Sequence, residues 1–86
     1  MARIEIANIE DGAPGEVNED AFFQLGMMYS TGASVPADYV AAHKWFNLAA
    51  MRGHKEAIRL RREVAEQMSE QEIASAQRAA RAWLSH

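Results

Sequence analysis

The sequence predicts an all-α domain of four helices arranged as two antiparallel helical hairpins. Apolar residues recur at intervals of three and four after residue 18, and Gly32 and Gly53 interrupt that pattern. A capping-box sequence also begins at Ser69. Spacing of three and four places side chains on one face of an α-helix, so each helix has a single apolar stripe. Because such stripes bury one another, we expect the helices to pack in pairs.

Composition limits the class of protein. The chain has 86 residues, of which 49% are hydrophobic and 24% charged, as expected for one globular domain. It lacks the run of about 18 apolar residues that a membrane span requires. Arg3 and Glu5 interrupt the apolar core of any secretory signal, so we expect a cytoplasmic protein. Since there is no cysteine, disulfides, thiolate nucleophiles and thiolate zinc sites are excluded.

The first 17 residues differ in pattern from the rest of the chain. Ile4 and Ile6 alternate with polar residues, and the segment 11–15 contains two glycines and a proline. We therefore predict an N-terminal arm or linker at 1–17 and one helical domain at 18–86. The sequence leaves open whether this arm lacks regular structure or folds over an apolar groove.

The first predicted hairpin runs from Asn18 to Gly53. Asn18 is a suitable cap for a helix that ends near Ser30, with Ala21, Leu25 and Met28 or Tyr29 as its apolar stripe. Gly26 lies beside that stripe, which indicates close approach of the partner helix, because a glycine within a helix is otherwise unfavourable. The turn at 31–35 includes Gly32, which can adopt a positive φ.

The second helix of this hairpin is predicted to open at Pro36, with Asp38 in its first turn, and to end near Arg52. Its stripe consists of Ala42, Trp45, Phe46 and Ala49. We expect Trp45 to be buried against Leu25 and Tyr29.

Two further helices follow. The third is predicted from Lys55 to about Gln67, with its apolar stripe at Ala57, Leu60, Val64 and Met68. The fourth begins after Ser69, where Glu72 completes a capping box, and its stripe ends at Trp83 and Leu84. Trp83 distinguishes two arrangements: a buried Trp83 closes the open end of the hairpin, whereas an exposed one marks an association surface. The inward direction of Ile73, Ala76 and Ala80 favours closure.

The stretch from Ala21 to Ala57 resembles the Sel-like repeat family, a relative of the tetratricopeptide repeat. The resemblance rests on the segments AFFQLGMMYSTG and SVPADYVAAHKWFNLAAMRG. Its motif positions are Ala21, Leu25, Gly26, Tyr29, Gly32, Ala42, Trp45, Ala49, Gly53 and Ala57. The resemblance implies an α–α superhelix of minimal length, bacterial origin, and a scaffold that binds other proteins, not an enzyme.

The repeat starts again but does not continue. Ala57 stands 36 residues after Ala21, yet Arg59 and Arg61 occupy the offsets of Phe23 and Leu25. We therefore predict a full repeat at 18–53, and a degraded repeat with a capping helix at 54–86.

A binding surface is predicted in the groove between the first and third helices, because stacked repeats place these helices side by side. The partner would be another protein or a peptide, apolar or acidic. An alternative for Phe22 is that its ring packs under Ile4 or Ile6 of the arm. The candidate partner-binding residues are Phe22, Gln24, Met27, Arg59 and Arg62.

Charge is distributed unevenly along the chain. Residues 1–20 contain six acids and one arginine, whereas residues 51–62 contain five basic residues and one acid. The basic strip is either a solvated helix face or a surface for an acidic partner. Two other functions stay open, a self-associating subunit that forms a homodimer and a nucleic-acid-binding protein that uses the strip 52–62. The net charge of −3 argues against nucleic acid.

No pattern for catalysis, metal or cofactor binding is present. His43, His54 and His86 are not spaced to ligate one metal ion from one helical face. We expect His43 at the surface and His54 in a loop. The segment 12–15 lacks the spacing of a phosphate loop, and the serines have no neighbouring base in a recognisable arrangement. The sequence therefore predicts a protein without enzymatic activity, metal, cofactor or membrane contact.

Overall fold

A computed structural model describes residues 19–85 of the chain, and these residues form four α-helices. We number them α1 (Glu19–Thr31), α2 (Tyr39–Met51), α3 (Lys55–Ala65) and α4 (Glu70–Leu84). No strand occurs within 19–85, and the predicted all-α class is confirmed. The predicted arm at 1–17 lies outside the described residues, as do its suggested contacts through Ile4 and Ile6.

The turn between α1 and α2 is held by backbone hydrogen bonds and one side-chain cap. Gly32 has φ +73°, and its N–H donates to the carbonyl of Met28 at 2.9 Å. The N–H of Asp38 donates to Tyr29 O, also at 2.9 Å, which ties the two helices together. The Asp38 carboxylate accepts from Ala41 N–H at 3.1 Å. The predicted start at Pro36 is therefore wrong, because Asp38 caps the helix and does not lie within its first turn.

The turn between α2 and α3 is shorter. Gly53 has φ +93°, a conformation that glycine adopts without the strain other residues would incur. His54, which we expected in a loop, caps α3: its Nδ1 accepts from the N–H of Ala57 at 3.2 Å. Ala65 is the last residue of α3, two residues before the predicted end.

The capping box at the start of α4 is confirmed. Ser69 Oγ accepts from Glu72 N–H at 3.0 Å, and the Glu72 carboxylate accepts from Ser69 N–H at 2.8 Å. These two bonds satisfy backbone donors that a helix start would otherwise leave unpaired.

Helix α2 is the centre of the molecule. It packs against each of the other three helices, which contact one another much less. Although α3 and α4 are consecutive in sequence, each of them packs mainly on α2.

The core is built around three aromatic rings, which we call the aromatic cluster: Phe22, Trp45 and Trp83. Phe22 stacks on Trp45 at 5.9 Å between centroids, and Trp83 meets both rings edge-on, at 5.2 Å from Phe22 and 5.6 Å from Trp45. Trp45 is 1% exposed and Trp83 is 7% exposed. The predicted burial of Trp45 and the predicted closure by Trp83 are both confirmed.

Most of the predicted motif positions lie in or against this core. Leu25, Ala42, Ala49 and Ala57 are buried, and Ala21 and Tyr29 pack against them. Gly26 is the point of close approach that its position in a helix indicated, since a Cβ there would overlap the ring of Phe46.

Candidate protein-binding groove

A shallow pocket opens where α1, α2 and α3 meet, and we call it the inner groove. Its volume is about 180 Å³. Helix α1 contributes one residue, α2 contributes two, and the remainder come from α3 and the turn that follows it. The lining residues are Ser30, Tyr39, Phe46, Leu60, Glu63, Val64 and Gln67.

The sequence explains why the groove has this shape. Phe46 is fully buried and forms part of the lining, and Gly26 of α1 leaves space for its ring. On α3, Leu60 and Val64 are four residues apart, so they share one face of the helix. Tyr39 is 43% exposed at the start of α2. The groove therefore combines a buried aromatic ring with an accessible one.

The charged side chains at the groove already form ion pairs with one another. Arg59 donates to the Glu63 carboxylate at 2.7 Å and also to Glu56. The hydrogen bond and charge of Glu56, together with Glu63, raise the pKa of Arg59 above its usual range. The exposed guanidinium of Arg59 is thus shared between two acids of its own helix, and Glu63 is not an unpaired acid at the groove.

None of the five candidate partner-binding residues lines this pocket. Met27 is 37% exposed and precedes the lining residue Ser30 by three positions on α1. Gln24 is exposed elsewhere on α1. Arg62 is exposed on α3, and a helix turns by about 100° per residue, so it projects away from the side that carries Leu60 and Val64.

The prediction that Phe22 faces the groove is wrong. Phe22 is fully buried in the aromatic cluster between Trp45 and Trp83. The physical reason is the phase of α1, in which Phe22, Leu25, Gly26 and Tyr29 follow the spacing of a single buried stripe. Phe23, the next residue, has its ring centroid 5.7 Å from that of Phe46 on α2.

His54 joins α1 to the start of α3. Its ring stacks on Phe23 at 4.1 Å, and its Nε2 lies 3.5 Å from the Asp20 carboxylate. Sequence reasoning missed this residue, although its position directly before α3 is that of a helix cap. The contacts fix the relative position of the two helices that border the inner groove.

His43 is also placed differently from the expectation. It is 4% exposed, so the prediction of a surface position is wrong, and its Nδ1 has no hydrogen-bond partner among the described residues. Burial lowers the pKa of His43, and the nearby positive charge of Arg61 lowers it further. His43 lies one turn before Asn47, which accepts from Arg61 at 2.6 Å, so it belongs to the α2 side that packs on α3.

Comparison with known protein families provides the identification. Residues 20–54 match the family model of the Sel1 repeat. This chain carries a Sel1 repeat. The Sel1 repeat covers α1, α2 and the residues up to the cap of α3, which is close to the full repeat predicted at 18–53. Sel1 repeats generally mediate protein–protein interactions and are not typically enzymes. Searches among curated proteins and among solved structures found no match.

Within residues 19–85, no group of three or more histidine, aspartate or glutamate side chains is arranged to hold a metal ion. None of the helices in the same range is long and apolar enough to cross a membrane.

Proposed function

We propose that this Sel1-repeat chain is a small adaptor that binds a segment of another protein in the inner groove. The observation that carries the proposal is a pocket at the junction of three helices that is lined by both apolar and polar side chains. Tyr39, Leu60 and Val64 supply apolar surface, and Ser30 and Gln67 supply hydrogen-bonding groups.

The size of the pocket favours one inserted side chain over a small-molecule ligand. Its volume is about 180 Å³, whereas pockets for small molecules usually exceed about 300 Å³. A single apolar side chain of a peptide fits this scale. Because Ser30 Oγ donates to Met27 O at 3.1 Å, its oxygen can still accept a hydrogen bond from a peptide backbone.

The charge at the groove favours an apolar segment over an acidic one. An acidic peptide would have to displace Glu56 or Glu63 from Arg59, since both carboxylates already bind its guanidinium. The same pairing reduces the charge that the basic strip could offer to nucleic-acid phosphates. A peptide that inserts an apolar side chain does not have to displace either carboxylate from Arg59.

The test is affinity capture from cells of the source organism with matched variants. Tyr39→Ser and Gln67→Ala change exposed groups of the groove, and Gln77→Ala changes an exposed glutamine on α4. We expect the double variant Tyr39→Ser/Gln67→Ala to lose a protein that the wild type and Gln77→Ala both retain. Phe22→Ala is unsuitable for this purpose, because that side chain is part of the core.

The captured protein is then measured against purified chain by calorimetry. The variant Tyr39→Ser/Gln67→Ala loses the apolar surface of the tyrosine ring and a hydrogen bond from the glutamine. It should therefore bind the captured protein about tenfold or more weakly, equivalent to about 1.4 kcal/mol. Equal affinity for the wild type and the double variant would show that the inner groove is not the binding surface.

A further inference from the structure

A second exposed surface lies on the opposite side of the α2–α3 hairpin, and we call it the outer edge: Met51, Lys55, Ile58 and Arg62. Met51 is 60% exposed and Ile58 is 38% exposed. Within residues 19–85, the other large apolar side chains with comparable exposure are Met27 on α1 and Tyr39, which lines the inner groove. Neither Met51 nor Ile58 lines the inner groove.

One hydrogen bond shows which side of the hairpin this face occupies. Arg61 Nη1 donates to Asn47 Oδ1 at 2.6 Å, across the interface of α2 and α3. Met51 follows Asn47 by one turn, and Ile58 precedes Arg61 by nearly one turn, so both lie on the Asn47–Arg61 side. The antiparallel register set by this pair brings Met51 level with Ile58. Phe46, Leu60 and Val64 mark the opposite side, where the inner groove lies.

The fourth helix does not cover the outer edge. Trp83 of α4 packs against Phe22 and Trp45, so this helix is anchored at the aromatic cluster. Met51 stays largely accessible beside the turn that leads into α3. Among the four described helices, none therefore covers this flank of α2–α3.

The outer edge is positively charged around its apolar centre. Lys55, Ile58 and Arg62 follow the spacing of three and four that defines one stripe of a helix. Both cations are exposed and neither forms an ion pair with any residue in the described range 19–85. Arg59, which lies one residue from Ile58, is instead held by Glu56 and Glu63. The stripe thus has two available cations on either side of an isoleucine.

We propose that the outer edge binds an acidic amphipathic helix of a partner protein, separately from the inner groove. The apolar stripe of such a helix covers Met51 and Ile58, and its acidic flanks face Lys55 and Arg62. Complementary charge fixes the orientation of the partner helix on the outer edge and increases the rate at which that helix associates. A second copy of this chain fits less well, because two identical outer edges would bring the cations of both copies together.

The experiment uses a fluorescently labelled model peptide and the full chain. The peptide has about 15 residues, the length at which an isolated helix begins to be stable, with leucines on one stripe and glutamates on both flanks. A scrambled peptide of equal composition is the first control. The variant Lys55→Glu/Arg62→Glu reverses the outer edge, and Arg78→Glu/Arg81→Glu makes the same charge change on α4, where both arginines are exposed.

We expect the outer-edge reversal to weaken peptide binding at least about tenfold, and the α4 reversal to change it little. Ile58→Ser should weaken binding while leaving its salt dependence in place. Thermal unfolding of each variant establishes that it is folded. The groove variant Tyr39→Ser/Gln67→Ala should bind the peptide like the wild type, which separates this proposal from the previous one.

Three results would overturn the proposal. The first is equal binding of the ordered and scrambled peptides, and the second is equal loss of affinity in both charge-reversal variants. The third is a concentration-dependent dimer of the full chain that disappears in Met51→Ser/Ile58→Ser, since it would assign the outer edge to a second copy.

Discussion

At the residue scale, Phe22 connects three helices. It projects from α1, stacks on Trp45 of α2 and meets Trp83 of α4 edge-on. Aromatic pairs of this geometry contribute about 0.5–1.5 kcal/mol beyond the area that they bury. Phe22 therefore stabilises the packing of α1 and α4 on the central helix.

Phe22→Ala should lower the free energy of unfolding by about 3–5 kcal/mol, as expected for removal of a buried aromatic ring. The measurement is urea denaturation followed by circular dichroism. Gln24→Ala, two residues away and exposed, is the control and should change stability little. Equal stability of the two variants would mean that Phe22 is not a core residue.

His43 predicts a specific dependence of stability on pH. Its pKa is lowered from the usual 6.5 in the folded protein, by burial and by Arg61. The unfolded chain therefore binds the proton more readily than the folded chain, and the free energy of unfolding falls as pH decreases through about 6.5. Above that pH the contribution of neutral His43 is fully present.

Urea denaturation at pH 7.5 and pH 5.5 tests this dependence. Wild type should lose stability at the lower pH, by about 1.4 kcal/mol for each unit of pKa difference that is titrated. His43→Leu removes the titrating group, and its stability should vary less across this interval. An unchanged pH dependence in His43→Leu would assign the effect to another group.

At the element scale, the packing of α1 on α2 depends on the pair Gly26 and Phe46. Alanine has a higher helix propensity than glycine by about 1 kcal/mol, so propensity alone predicts that Gly26→Ala is stabilising. A Cβ at this position overlaps the Phe46 ring, and overpacking of this kind typically costs about 1–3 kcal/mol. We therefore expect the steric cost of the added Cβ to exceed the gain in helix propensity.

We predict that Gly26→Ala lowers the melting temperature and that the same change is less harmful in a Phe46→Leu background. A double-mutant cycle from thermal unfolding of the four proteins gives the coupling between the two positions. Additive effects would contradict the proposed contact.

The helices themselves could be predicted from sequence because their signals are local. The spacing of apolar residues gave all four helices, and Ser69 with Glu72 gave the start of α4 correctly. The start of α2 was misplaced because Pro36 and Asp38 both favour a helix N-terminus, and only the extended backbone of Asp38 distinguishes them. The cap formed by His54 was missed because histidine is not a common capping residue.

The groove residues were harder to predict because they depend on how each helix is rotated. The sequence suggested a surface between the first and third helices, and these helices do border the inner groove. The rotation of each helix about its axis determines which of its side chains reach the inner groove. Phe22 is in phase with Leu25 and Tyr29, so helical periodicity could have placed it in the core. His43 carries no such signal, because a single histidine in an apolar helix is compatible with either position.

At the scale of the whole molecule, one Sel1 repeat is closed by elements outside it. Solenoid repeats usually require about three units to bury a sufficient core. Here α3 packs on one part of α2, and α4 covers the aromatic cluster through Trp83. The added helices supply the contacts that neighbouring repeats would make in a longer array.

Removal of the Trp83 ring should therefore affect the entire domain. Trp83→Ala is expected to lower the free energy of unfolding by about 3–5 kcal/mol, and Trp83→Phe should retain part of that stability. Urea denaturation followed by circular dichroism, which reports the helices in all three proteins alike, provides the measurement. If Trp83→Ala unfolds like the wild type, α4 does not close the core.

The most direct test of the functional account is a nuclear magnetic resonance titration of the labelled chain with the partner recovered by capture. We predict that the largest changes in amide chemical shift occur around the inner groove, at Ser30, Tyr39, Leu60 and Gln67. Changes confined to α4, or no change with any captured protein, would contradict binding in the groove.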